Sequence, residues 1–244
     1  MLSKYFKPGQ KVQIYPQTGA ASPDQLESLT AHVVNCGGEG LELSLPYQTH
    51  AGEEYPFQRD MVLDLVSQSF GLGVRARGRI AGLRDKSLIQ VSCSTPLEAF
   101  QRRTQPRIEV SVGLRYARGR GNLRSMLDKW RKNVALLQQS CAAERRQNFT
   151  YRPANLSGGG IRFDCPEQIE PPELCMLLLE LTPDTPPVCA LAEIAWARPA
   201  EKPGWNTLGM QFTHISKADQ KRIFDFVAQT RHRQEQAANE PDDS

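Results

Sequence analysis

The stretch Asn155-Leu156-Ser157-Gly158-Gly159-Gly160 is a small polar turn that leads into an apolar strand, Ile161-Arg162-Phe163. A second cluster lies upstream and reads Arg102-Arg103-Thr104-Gln105-Pro106-Arg107, at the entrance to another predicted strand. The guanidinium group is a planar fork of donors that binds phosphate and stacks on flat rings, and glycine allows a ligand to approach the backbone closely. The two clusters therefore predict a site for an anion and a planar base at one end of a β-barrel.

Short alternating segments surround both clusters. In the first half of the chain they lie at 11–15, 31–34, 41–45, 61–66, 73–80 and 88–92, and in the second half at 108–114, 161–163, 174–181, 188–198 and 208–212. Short strands at nearly regular spacing, separated by Gly, Pro and Asn, are typical of small barrels or sandwiches. We predict a mainly β fold with two small β-barrel domains in tandem.

Two helices are expected beside the strands. A C-terminal helix begins at Ser216-Lys217-Ala218-Asp219, where a hydroxyl cap is followed by an acid three residues later, and Ile223, Phe226 and Val227 give it one apolar stripe. The tail, residues 236–244, is small and acidic and is predicted to be disordered.

The second helix is a long insert at about 121–148. Apolar residues recur there at spacings of four and three; they are Leu123, Leu127, Trp130, Val134, Leu137 and Cys141. This is a heptad seam, and a helix with one apolar stripe must cover it. Self-association of the chain into a homo-oligomer and packing on the chain's own barrels are both open, and the former is the preferred interpretation.

The paired clusters match the signature R-x-x-x-R followed by [D/N]-x-S-x-x-G, and the chain therefore resembles PilZ domains over roughly residues 98–228. That resemblance implies a receptor for the bacterial second messenger cyclic di-GMP. The layout of the first half is similar to the N-terminal split-barrel domain of flagellar-brake proteins. The implied division is a split-barrel-like domain at 1–97, a linker with the arginine motif at 98–107, and a PilZ-like barrel at 108–235.

The resemblance also implies the binding residues, which are Arg102, Arg103, Arg107, Asn155, Ser157 and Gly160. Arg102 lies one position before the motif, an arrangement that goes with a mutually intercalated pair of ligands, so two cyclic di-GMP molecules per protomer are expected. No other cofactor is implied. The expected function is a receptor whose domain arrangement changes on binding, signalling to an unidentified effector protein that controls motility, biofilm or exopolysaccharide production.

Composition limits the other functional classes. The 244 residues carry a net charge of only +3, but residues 101–148 hold twelve Arg or Lys against three Asp or Glu, which suggests an anionic ligand. The six cysteines form no C-x-x-C pair and the four histidines are scattered, so buried free thiols and no metal site are expected. No catalytic constellation, signal peptide or bilayer-spanning run is found, which predicts a cytoplasmic protein that is not an enzyme and does not insert into membranes.

Two alternatives remain open. The chain could be a PilZ-like protein that binds no ligand and serves as a structural or assembly subunit. The other alternative is a nucleic-acid-binding β-barrel that uses the basic insert, but the aromatic residues Trp130, Phe149 and Tyr151 are not spaced as a stacking row.

Overall fold

The computed structural model describes residues 2–17, 24–38, 40–46, 55–69, 72–84, 87–101, 106–119, 123–139, 149–183 and 185–239. The chain divides into two compact units. The first comprises residues 1–104 and 121–127, and the second comprises 105–120 and 128–244. Each unit is built around a closed barrel of strands, so the predicted mainly β fold with two small barrels is confirmed.

The first barrel has six strands in the order β1-β3-β4-β7-β6-β5, closed by antiparallel pairing of β5 with β1. Its strands are β1 (Lys11–Pro16), β3 (Leu29–Gly37), β4 (Gly40–Ser44), β5 (Val62–Ser69), β6 (Leu72–Arg84) and β7 (Leu88–Phe100). A 3-10 turn at Leu2–Lys4 and a short strand β2 (Gln25–Glu27) complete the first unit. Strand β6 shows why the barrel forms, because its buried residues Val74, Ala76 and Ile80 alternate with exposed arginines.

Strand β7 is longer than the sequence pattern predicts. It continues to Phe100, three residues into the segment 98–107 that we predicted as a linker. Phe100 pairs with Gly73, and its ring occupies the space that a Cβ at Gly73 would need. The Arg75 guanidinium lies 5.5 Å from the centroid of the same ring and 3.9 Å from the Glu98 carboxylate. These cross-strand contacts extend the hairpin, and a linear pattern does not contain them.

The second barrel also has six strands. They pair in the order β10-β9-β8-β11-β12-β13, and β10 pairs with β13 to close the sheet. The strands are β8 (Ile108–Gly119), β9 (Thr150–Ser157), β10 (Gly160–Cys165), β11 (Glu173–Glu180), β12 (Val188–Pro199) and β13 (Asn206–Ser216). Our prediction of a turn over residues 155–160 was too broad, because Asn155 and Ser157 belong to β9 and only Gly158 and Gly159 connect it to β10.

Helix α2 (Lys217–Asn239) follows β13 directly. The backbone N–H of Asp219 donates to the Ser216 hydroxyl at 3.0 Å, as the predicted cap requires. Ile223 and Val227 are fully buried on the inner face of this helix. The helix continues through residues 236–239, so the predicted disordered tail at 236–244 was wrong for those four positions; residues 240–244 lie outside the described residues.

Helix α1 (Leu123–Gln139) forms the described part of the predicted insert; residues 140–148, with Cys141, lie outside it. The first three stripe residues, Leu123, Leu127 and Trp130, are buried within the protomer. The indole N–H of Trp130 donates to the backbone carbonyl of Cys189 on β12 at 3.1 Å. Trp130 therefore packs on the chain's own second barrel, which is the alternative to self-association for this part of the stripe.

Candidate functional site

The start of β8 lies beside the end of β9 and brings two of the predicted binding residues together. Ile108 pairs with Leu156 and Glu109 pairs with Asn155 in antiparallel register. Arg107 immediately precedes Ile108 and Ser157 immediately follows Leu156, so the two residues flank this pair. Directly opposed residues in such a ladder have Cα atoms about 4.5–5.5 Å apart. Arg107 is exposed, so its guanidinium group stands at the surface next to the hydroxyl-bearing end of β9.

Hydrogen bonds within the β9–β10 hairpin and from the neighbouring strand β13 fix its conformation. Ser157 pairs with Gly160, and the Ser157 hydroxyl donates to the Gly160 carbonyl at 3.3 Å. The backbone N–H of Phe212 on β13 donates to the Gly159 carbonyl at 3.0 Å. A Cβ at Gly160 would lie 2.2 Å from the carbonyl oxygen of Met210, so only glycine fits this position. Backbone packing, rather than positive φ, explains the requirement for glycine here.

Helix α2 contacts both strands of the motif. The Gln220 side-chain amide donates to the Gly158 carbonyl at 3.1 Å. The Phe224 ring packs against Gly158 so closely that a Cβ there would lie 2.1 Å from it. Farther along the helix, the Gln234 amide donates to the backbone carbonyl of Glu109 at 3.0 Å. The hairpin and the start of β8 are thus fixed by one rigid element.

A polar trio crosses the outer face of β8, β9 and β10. The Asn155 amide donates to Glu109 Oε1 at 2.8 Å, and Arg162 donates to the same oxygen at 2.6 Å. The trio faces outward because Ala154 and Leu156, on either side of Asn155, are buried in the barrel. Glu109 and Arg162 were absent from the predicted site. The alternation of the strands could have revealed both residues. Glu109 lies two positions after Arg107, and Arg162 follows the buried Ile161, so both side chains are expected on the outer face.

An aromatic side chain extends this row. Arg162 pairs with Gly209, whose outer surface is covered by the Trp196 indole; a Cβ at Gly209 would lie 2.1 Å from the ring. The guanidinium group of Arg198 lies 5.1 Å from the centroid of the same indole. One outer face thus carries a carboxylate, an amide, guanidinium groups and an aromatic ring, which can bind a ligand that has both charged and planar parts.

Four of the predicted site residues, Arg107, Asn155, Ser157 and Gly160, are brought together by the second barrel. Arg102 and Arg103 lie in the segment 102–105, outside the described residues. The side chain of Asn155 is engaged with Glu109. Arg107 is exposed just before β8, whereas Ser157, at the end of β9, is buried and donates to Gly160.

The described residues contain no group of three or more His, Cys, Asp or Glu that could hold a metal ion. Cys93, Cys165, Cys175 and Cys189 are buried thiols and Cys36 is partly exposed, whereas Cys141 falls outside the described part of the chain. Burial raises the pKa of the Cys93, Cys175 and Cys189 thiols to about 12.

In the part of the chain that the structure describes, neither helix is long and apolar enough to cross a membrane.

Residues 130–229 match the family model described as PilZ domain. The chain contains a PilZ domain. The match begins within α1 and ends within α2, so it includes the Asn155–Gly160 half of the motif and β9 to β13. Arg107 and β8 lie before it, and they join the PilZ domain through the pairing of β8 with β9 and β11.

Solved structures that resemble the chain include the Bacillus subtilis inhibitor of motility MotI/DgrA, with 14% identity, coverage of 93% of this chain and 99% of that chain, and a TM-score of 0.37. Escherichia coli YcgR in complex with c-di-GMP has 10% identity, coverage of 95% and 88%, and a TM-score of 0.37. The K. pneumonia MrkH–c-di-GMP complex has 13% identity, coverage of 94% and 90%, and a TM-score of 0.33. No curated protein matches the chain. The strand pairing itself establishes the two barrels.

Proposed function

We propose that this protein is a cyclic di-GMP receptor that binds the dinucleotide on the outer face of its PilZ domain, at Arg107, Asn155, Ser157 and Gly160. The observation that carries the proposal is the register of β8 with β9. In that register the start of β8, which directly follows Arg107, pairs with the Asn155–Leu156 segment of β9, although 48 positions separate Arg107 from Asn155 in the chain.

The chemistry of these groups suits the ligand. Cyclic di-GMP carries two phosphates and two guanines, and an arginine can bind either a phosphate or the O6/N7 edge of guanine in a bidentate manner. Ser157 adds a small hydroxyl. The absence of a side chain at Gly160 lets the hairpin pack closely against β13. The ring of Trp196 and the guanidinium group of Arg162 extend the same face, where bases can stack.

Arg102 and Arg103 belong to the segment that joins β7 to β8, and we propose that they complete the site by contacting the ligand from that segment. A bound ligand then couples the segment to the barrel and changes the arrangement of the two units, provided that its affinity for the two arrangements differs. The extra cation at Arg102 supports two ligand molecules per protomer. The output is a changed surface for an effector protein in motility, biofilm or exopolysaccharide control.

Isothermal titration calorimetry with cyclic di-GMP tests the site. Arg107→Ala removes a charged hydrogen-bonding partner, which is worth roughly 1.5–3 kcal/mol, so the affinity is expected to fall by about tenfold to a hundredfold. Arg131→Ala is the matched control, because Arg131 is an exposed arginine on α1 that forms an ion pair with Asp128 at 3.4 Å. Equal affinity of both variants for cyclic di-GMP would contradict the proposed site, and a stoichiometry of one would contradict the ligand pair.

We further propose that any homo-oligomer uses the remaining stripe of the segment 121–148. Its support is limited to α1, where Val134 and Leu137 are only half-buried and Leu136 is 60% exposed. Light scattering with and without ligand tests it: a molar mass of one protomer under both conditions would refute self-association.

A further inference from the structure

We propose that Glu109 selects guanine over adenine in the bound dinucleotide. The inference rests on the proposed function and adds to it the residue that reads the base. It starts from a feature that is unusual in a site for an anion: a carboxylate at the centre of the binding face, held in place by two neighbours.

The position of the carboxylate is well defined. One oxygen, Oε1, accepts from both the Asn155 amide and the Arg162 guanidinium group, at 2.8 and 2.6 Å. The Glu109 side chain is nevertheless 66% exposed, so a ligand on this face can reach it. Glu109 follows Arg107 by two positions, and Arg107 directly precedes β8, so extended backbone there separates their Cα atoms by roughly 6.5–7 Å.

The charges of Arg107 and Glu109 therefore match different parts of a nucleotide. Arg107 is suited to a phosphate, and Glu109 is suited to a group that offers donors. The Watson–Crick edge of guanine presents N1–H and N2–H side by side, and a carboxylate accepts but never donates. Because Oε1 accepts from Asn155 and Arg162, Oε2 is the oxygen that would accept from the base. Adenine presents one amino donor beside an unprotonated ring nitrogen, whose lone pair would face a carboxylate oxygen.

Two other roles for Glu109 make different predictions. A purely structural role is disfavoured because the ion pair with Arg162 is exposed, and exposed pairs contribute little to stability. The ladder hydrogen bonds already fix the register of β8, β9 and β10. A purely repulsive role would weaken the binding of every cyclic dinucleotide equally, because the charge of the phosphates does not depend on the base.

Calorimetric titration of the full chain with cyclic di-GMP and with cyclic di-AMP separates these roles. Glu109→Gln keeps the shape of the side chain but replaces two acceptors with one acceptor and one donor, a pattern that suits adenine. The ratio of the two affinities, cyclic di-GMP over cyclic di-AMP, is expected to fall by about tenfold or more. Glu201→Gln removes the same charge from an exposed loop and should leave the ratio unchanged.

An unchanged ratio in Glu109→Gln, or equal tightening of both ligands, overturns the inference while the proposed function stands. Failure of the unaltered chain to bind cyclic di-GMP overturns the proposed function, and the inference with it. Circular dichroism confirms that the variants fold. Should Glu109→Gln be unfolded, Glu109→Ala is titrated in its place, and the ratio is again expected to fall because the acceptors for guanine are gone.

Discussion

Replacing Gly158 with alanine perturbs the contact between the binding hairpin and helix α2. The added Cβ would lie 2.1 Å from Cε1 of Phe224, whereas ordinary van der Waals contacts begin at 3.4 Å. The ring or the hairpin must therefore move by at least 3.4 − 2.1 = 1.3 Å. Phe224 is half-buried and lies next to the buried Ile223 in the chain. Moving its ring would therefore disturb the packing of α2 on the barrel.

The expected cost follows from the cost of overpacking. Inserting a methyl group into a well-packed contact destabilises a protein by about 1–3 kcal/mol. We expect Gly158→Ala to lower the free energy of unfolding of the second unit by about 2 kcal/mol. In the double variant with Phe224→Ala, the methyl group gains space, so the combined cost should be smaller than the sum of the two single costs by about 1 kcal/mol or more.

Urea unfolding followed by tryptophan fluorescence is the appropriate assay. All three tryptophans, Trp130, Trp196 and Trp205, belong to the second unit, so the signal reports on the barrel that carries the hairpin. Gly37→Ala is the control, because a Cβ at Gly37 meets nothing within 4 Å; its unfolding is followed by circular dichroism. Additive costs of Gly158→Ala and Phe224→Ala would refute the proposed contact, as would a Gly158→Ala variant as stable as the unaltered chain.

Three further outcomes are expected. Trp130→Phe should destabilise the second unit by about 2 kcal/mol, measured by urea unfolding, because the Cys189 carbonyl loses its indole donor. Ser216→Ala should cost about 1 kcal/mol through loss of the α2 cap, with a lower melting temperature as the readout. The buried thiols of Cys93, Cys175 and Cys189 have a pKa of about 12 against an ordinary value of 9.0, so stability should be intact below pH 9 and fall as pH rises towards 12. Urea midpoints that stay constant from pH 8.5 to about pH 11 would contradict that last expectation.

Local patterns in the sequence predicted the elements that depend on local chemistry. Alternation of apolar and polar residues predicted most of the strands, because the side chains of a half-buried strand alternate with period two. The Ser216 cap was predicted because its hydrogen bond spans only three residues. The ends of elements were less well predicted: β7 extends to Phe100 and α2 through residues 236–239, since cross-strand contacts and tertiary packing stabilise residues whose own sequence resembles a linker or a tail.

The sequence alone determined most of the barrels' strands and the motif residues, because strand period and side-chain donors are properties of short segments. Only the tertiary structure decided that Ile108 pairs with Leu156, that Glu109 binds Asn155 and Arg162, and that α2 packs on the hairpin. These contacts join residues more than 40 positions apart, and their existence depends on strand register. A shift of one residue in that register would turn Glu109 into the core, and the burial of Ile108 and Leu156 on the inner face opposes it.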